Sequence, residues 1–204
     1  MLTPFDQAVQ DIIAAGKWLD ARGLAPATSG NYSVRLPDNK IAVTVSGKHK
    51  GKLGKNDVMM ADSQAKPLED KKPSDEARLH AHIYKNFPEA KAILHCHSIP
   101  GAILTRAWPG KDIVLSGYEM LKIFPGITTH DVTVTIPVVD NSQVMSEIIA
   151  ALDKKDIKVP AYMIRDHGFY VWGPNMFAAE NLAEALEHLL AVEAGVLKIK
   201  EKGA

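Results

Sequence analysis

The sequence predicts an α/β fold: one domain over residues 1–204, with a mainly antiparallel sheet and helices packed against it. Three observations point that way. Helical and strand periodicities alternate along the chain. The strand pairs within 31–46 and 161–173 are joined by turns too short for a crossover helix. No repeat, low-complexity linker or break in composition divides the chain, and 204 residues, 46% of them hydrophobic, suffice for one well-filled core.

The elements follow in order. Residues 4–22 read as a helix, with Val9, Ile12, Ile13 and Leu19 at helical spacing, Pro4 near the start and Gly23 past the end. "APATSGNYSVRL" passes from a small-residue loop into an alternating strand that puts Tyr32, Val34 and Leu36 on one face. "PDNK" turns the chain into the strand "IAVTVS", giving an antiparallel hairpin over 31–46. "DVMMAD" is a further short strand. "PSDEARLHAHIYKNF" is a helix with Ser74 or Asp75 near its N-cap and acidic residues in its first turn. "AKAILHCHS" is a buried strand, and 99–107 a short helix. Strand and loop mix through "DIVLSGYEMLKIFPGITTH". Beyond it come the strand "VTVTIPVVD", a helix over 142–155, the strand–turn–strand "AYMIRDHGFYVWG" and a long amphipathic helix over 175–200.

Lys and Arg together number 24, as do Asp and Glu, so the formal charge is zero. That argues against a broad basic face for nucleic acid and against a polybasic membrane patch. A lone cysteine, Cys96, leaves no intrachain disulfide framework and fits a reducing compartment. No signal-like start and no long apolar run occurs, so the chain reads as cytoplasmic, with no membrane partner.

Two His-x-His motifs, His80/His82 and His95/His97, share a spelling but not a backbone. On a helix, residues two apart point roughly 200° from one another and cannot share an ion. On a strand they face the same way, about 7 Å apart, and their imidazoles can converge on a metal. His95 and His97 are therefore the candidate pair, with Cys96 facing away. A catalytic zinc site has three protein ligands and one open position. His167 in "RDHGFYVWG", between a strand and a glycine that permits a tight turn, competes with His130 in "TTHD" for third place. His49 and His188 suit solvent or packing roles, and His80 suits packing or hydrogen bonding on its helix.

Three loops offer backbone N–H groups, hydroxyls or cations of the kind that hold a phosphate: "ATSGNYS", "VSGKHKGKL" and "KKPSDE". No nucleotide fingerprint is present. Two carboxylates are placed for proton transfer. Glu76 begins the helix before the metal strand, and Glu119 sits in the apolar "SGYEMLK", a setting that would raise its pKa. Their competing roles are dipole stabilisation for Glu76 and a salt bridge with Lys122 for Glu119. Together these features predict a zinc-dependent lyase or isomerase acting beside the carbonyl of a small phosphorylated molecule.

"TSGNYSVR", "VSGKHKGKL", "PSDEARLHAHIY", "AILHCHS" and "RDHGFYVWG", in that order, resemble the class II aldolase/adducin family over about residues 5–200. The resemblance implies a three-layer α/β/α domain and one zinc per chain on His95, His97 and His167. It implies a small phosphorylated keto-sugar as substrate, held by Ser29, Gly30, Asn31, Ser46, Gly47, Ser74 and Asp75. It also implies a homotetramer with active sites at subunit interfaces. The catalytic glutamate of the family's aldolases matches Glu76. "GYEMLK" and "GITTHDVTVTIPVVDN" resemble its dehydrating members, whose proton-transferring glutamate matches Glu119. Ser74-Asp75 departs from the two serines of many aldolases, which leaves Asp75 only a backbone or helix-terminus contact to phosphate. Ile99, Ile123 and Phe124 are candidates for touching an apolar substrate group, with core packing as their competing role. An aldolase or 4-epimerase using Glu76 is the alternative enzyme. A metal-free adducin-like interaction module is the alternative of another class.

Overall fold

Residues 2–202 are described by a computed structural model. Helix α1, Pro4–Asp20, starts where Thr3 accepts a hydrogen bond from the Asp6 N–H at 3.0 Å, with Pro4 at a position that needs no donor. Its buried face, including Ala8, Val9, Ile12 and Leu19, packs on β1 (Asn31–Arg35), β2 (Lys40–Thr44) and β3 (Val58–Asp62). Gly16 is required there, because a Cβ at that position would stand 2.3 Å from the Lys50 carbonyl oxygen. Helix α2 is Ala77–Asn86, β4 is Ala92–Cys96, α3 is Ile99–Ala107, β5 is Ile113–Ser116 and β6 is Thr133–Ile136. After them come β7 (Val138–Val139), α4 (Met145–Leu152), β8 (Ala161–Ile164), β9 (Gly168–Gly173) and α5 (Met176–Lys202).

Seven strands form a sheet in the order β3-β2-β1-β4-β9-β8-β7, and β5 pairs with β6 separately. Antiparallel ladders join β1 to β2 and to β4, β2 to β3, and β8 to β9, while β7 runs parallel to β8. The mainly antiparallel sheet with flanking helices is the fold class that the short connections predict.

The chain groups into two compact units. One runs through His97 and takes in Trp172–Glu180; the other comprises Ser98–Val171 and the chain from Asn181 onward. The first has a core of Ile12, Leu19, Tyr32, Val43, Met59, Leu79, Ile83 and Ile93, each fully or almost fully buried. The second buries Leu104, Ile113, Leu115, Ile136, Ile148, Ile164 and Leu186. Each such side chain contributes about 1.5–3 kcal/mol by leaving water.

Two elements depart in kind from the sequence reading. The helix expected from residue 73 begins at Ala77, with Glu76 as its N-cap and no acidic residue in its first turn; Ser74 and Asp75 form the turn before it. The strand read over 132–140 is broken at Pro137, which has no N–H to give a ladder, so β6 pairs with β5 and β7 with β8. The segment before it holds β5 and a 3-10 turn, Glu119–Ile123.

Candidate active site and metal centre

Strand β4 carries the histidine pair at its C-terminal end. His95 is fully buried and lies opposite Asn31 in the β1–β4 ladder. His97 stands just beyond the strand, where its N–H donates to the Leu24 carbonyl at 3.0 Å. The extended backbone turns both rings the same way, with centroids 5.1 Å apart. His167 occupies the hairpin loop between β8 and β9 and donates its N–H to the Ile164 carbonyl at 3.2 Å. The left-handed residue of that turn is Asp166, at φ 55°, rather than the glycine that the sequence suggested. Asp166 is held by the Thr105 hydroxyl, which accepts its N–H at 3.2 Å, and by Arg106 at 3.1 Å.

One ring nitrogen from each of His95, His97 and His167 lies within 4.8 Å of the other two. His130, the competitor for third place, instead faces Glu119 at 3.5 Å. Three convergent imidazoles are the donor set of a zinc-type site with room for a further ligand, so these residues fit a divalent metal. Of the helical pair, His80 is buried and His82 takes a hydrogen-bond contact from Asn86 Nδ2 at 2.9 Å, as the helical geometry requires.

The three small-residue loops are tied together. Ser46 donates its N–H to the Lys72 carbonyl at 3.0 Å, and Val45 forms a bridge with Pro73, which sets Ser46 and Gly47 beside the turn bearing Ser74 and Asp75. Lys50 Nζ donates to the Thr28 carbonyl at 2.8 Å and to the Lys48 carbonyl at 2.6 Å, clamping the loop of Ser29, Gly30 and Asn31 to the second loop. Gly30, at φ +79°, lies so near β4 that a Cβ would stand 2.9 Å from the His95 carbonyl oxygen. The Ser29 hydroxyl is buried without a partner among the described residues, while Asp75 is exposed and 4.0 Å from Lys72.

The two carboxylates have unlike surroundings. Glu76, with a side chain 18% exposed, accepts from Asn31 Nδ2 at 2.6 Å and lies 3.4 Å from His95 Nε2. Glu119, with a side chain 69% exposed, pairs with Lys122 and faces His130. The sequence setting of Glu119 suggested a raised pKa, and the structure corrects this: Lys122 holds it below the usual carboxylate range. Its apolar sequence neighbours point elsewhere. Leu121 and Phe124 are in the core, and Met120 and Ile123 are partly exposed. Ile99, the other candidate apolar contact, is 74% exposed rather than packed in the core.

Two features escaped the sequence reading. Lys50 is buried to 2% exposure, and that burial pushes its pKa down to about 8 against the pull of Glu76. It lies in a lysine-rich loop where nothing local distinguishes it from its exposed neighbours. The other is a chain of buried polar groups behind Glu76: Asn31, His80, Ser33 and Tyr84. His80 and Tyr84 share a face of α2 by their i, i+4 spacing, but their partners Asn31 and Ser33 come from strand β1.

The Class II Aldolase and Adducin N-terminal domain profile matches residues 10–194. A methylthioribulose-1-phosphate dehydratase from Methylococcus capsulatus is 41% identical over 97% of this chain and 98% of its own. The protein of that name from Gluconacetobacter diazotrophicus is 47% identical over 93% of this chain and 94% of its own. Among solved structures, a L-fuculose-1-phosphate aldolase from Thermus thermophilus superposes with a TM-score of 0.72 at 21% identity, over 96% of this chain and 95% of that one. YgbL from Klebsiella pneumoniae, described as a putative aldolase/epimerase/decarboxylase, gives 0.79 at 24% identity, over 94% and 90%. At those identities the two structures speak for the fold.

Proposed function

This chain belongs to the class II aldolase and adducin family, and we propose that it removes water from 5-methylthioribulose 1-phosphate to give 2,3-diketo-5-methylthiopentyl 1-phosphate, a step of methionine salvage. It is on that reading a lyase, of the hydro-lyase kind. The observation that carries the reading is the near-full-length identity to dehydratases of that name. The uninterrupted family match supports treating the chain as one domain.

Zinc, one per chain, is the ion assigned to His95, His97 and His167; when bound it supplies positive charge that polarises a neighbouring carbonyl and acidifies the adjacent C–H. The loops around Ser29, Gly30, Asn31, Ser46, Gly47 and Ser74 hold the phosphate through N–H groups and hydroxyls, and the unpartnered Ser29 hydroxyl supports that assignment. Asp75 contributes backbone only, its carboxylate being turned toward Lys72. Exposed Ile99, two residues past His97, is free to cover the methylthio group.

Glu119 is the proton carrier in this scheme. Lys122 keeps it ionised, so it begins as the base that takes the C3 proton. The same proton then goes to the C4 hydroxyl, which leaves as water, and the resulting enol tautomerises to the diketone. A homotetramer with interfacial active sites and a cytoplasmic location belong to the same proposal. No described helix is long and apolar enough to cross a membrane.

The test pairs two variants. Glu119→Gln is expected to slow diketone formation by about 10²–10⁴-fold with zinc retained. His97→Ala is expected to lose zinc and activity together. Undiminished turnover in Glu119→Gln would remove it from the proton path.

One observation favours a second reading. Glu76, the match to the aldolases' catalytic glutamate, is the carboxylate beside His95. An aldolase or 4-epimerase would transfer its proton there, and release of an aldehyde from a pentulose or deoxyhexulose phosphate would reveal the aldolase.

A further inference from the structure

Behind Glu76 lies a line of buried polar side chains, of which the dehydration scheme uses only Asn31. Tyr84 Oη is 2.8 Å from Ser33 Oγ, Ser33 Oγ is 2.6 Å from His80 Nδ1, and His80 Nε2 is 2.5 Å from Asn31 Oδ1. Asn31 Nδ2 reaches Glu76 Oε2 at 2.6 Å, and that oxygen stands 3.4 Å from His95 Nε2. Asn31, Ser33 and His80 are buried to 2% exposure or less, so water cannot replace a lost partner cheaply.

Hydrogen count gives this line one direction. The Asn31 amide presents its NH2 to Glu76, Nδ2 donating to Oε2 at 2.6 Å. The Asn31 carbonyl oxygen therefore faces His80 and can only accept, which puts a hydrogen on His80 Nε2. In a neutral imidazole Nδ1 must then accept, and the Ser33 hydroxyl spends its single hydrogen there. Tyr84 is left to donate to Ser33.

We propose that His80 is a positioning residue: a neutral imidazole protonated on Nε2, it fixes the Asn31 amide so that Glu76 is held by Nδ2 and aimed toward His95. The opposite tautomer would set two lone pairs face to face. Relieving them by turning the amide would point a carbonyl oxygen at the Glu76 carboxylate. Full burial of His80 keeps the imidazole neutral, pushing its pKa down to about 3 although the Glu76 charge pulls upward. Its effect on turnover rests on Glu76 acting beside the metal.

The experiment uses the zinc-loaded full chain. Nitrogen-15 histidine spectra of the wild type are expected to show His80 as the neutral Nε2–H form, unchanged between pH 5.5 and about 8.5. A His80 protonated on Nδ1, or one that titrates in that range, overturns the proposal. Ser33→Ala, which removes the donor to Nδ1 at small cost in volume, is expected to lower kcat about tenfold with KM and zinc content unchanged. Ser33→Thr, which keeps the hydroxyl, is expected to restore most of the rate. A Ser33→Ala enzyme with altered melting temperature but unaltered kcat would show mere packing and overturn the positioning role. Failure of the wild type to dehydrate methylthioribulose 1-phosphate would overturn the dehydratase reading instead, and the spectra would still decide the tautomer.

Discussion

Glu76 and Glu119 are both acidic residues at the start of a helical turn, yet the fold gives them opposite surroundings. Glu76 caps α2, is largely buried and ends a line of side-chain hydrogen bonds. Glu119 opens a 3-10 turn at the surface and is steadied by Lys122 and His130. The first is held by groups whose geometry is set by the sheet. The second is held by flexible charges that solvent screens. A carboxylate's chemical readiness is thus decided by what packs around it in space, and sequence neighbours are a poor guide: the apolar residues around Glu119 turn into the core or along the surface while the acid itself faces water.

The comparison breaks most sharply at turnover. With Glu119→Gln expected to cost about 10²–10⁴-fold, Glu76→Gln is expected to cost about 10–10²-fold in kcat with zinc retained. The glutamine still accepts from Asn31, but no longer offers charge to His95. Parallel rate and zinc measurements on both variants check this, and a larger loss for Glu76→Gln would transfer the proton-carrying role to Glu76.

Acid stability should follow the buried side alone. His80 has its folded pKa lowered to about 3, below its ordinary value of 6.5, so between those values the unfolded chain binds the extra proton. Its contribution is fully present above pH 6.5 and is lost as pH falls, by about 1.4 kcal/mol per pH unit at most. Urea titrations at pH 5 and 6.5 should show a steeper loss for wild type than for His80→Gln. Equal slopes would mean that His80 is not buried neutral.

Gly30→Ala should strike the same region through the backbone. The left-handed conformation and the clash with the His95 carbonyl together should cost about 1–2 kcal/mol or more, read as a lower denaturation midpoint. The smallest change in stability is expected for Lys122→Ala. The melting temperature should hardly move, whereas the acid limb of the rate profile should shift upward as Glu119 loses the charge that lowers its pKa. An unmoved acid limb would separate Glu119 from the titration that governs turnover.

Much of this molecule is written locally. Apolar spacing in 4–22 is enough for α1, and alternation through 31–46 is enough for a hairpin, because both are consequences of backbone period. The same rule separates His95/His97 from His80/His82, since residues two apart on extended backbone share a face and on a helix do not. Pro137 and Asp166 were harder. Whether a proline breaks a strand or edges it depends on whether a neighbour needs an N–H that proline lacks, and the left-handed Asp166 is held by Thr105 and Arg106, about 60 positions away.

The sequence by itself determined the fold class, the histidine pair at the end of β4 and the three small-residue loops, because each rests on periodicity or on residue chemistry within a few positions. Only the tertiary structure decided that His167 rather than His130 joins the pair, that Lys50 is buried, that Glu76 rather than Glu119 lies beside His95, and that His80 is gripped by Ser33 and Asn31. Those outcomes depend on residues from 19 to 72 positions apart meeting with complementary polar atoms. Desolvation and hydrogen-bond direction are properties of that meeting, and no single stretch of chain contains them.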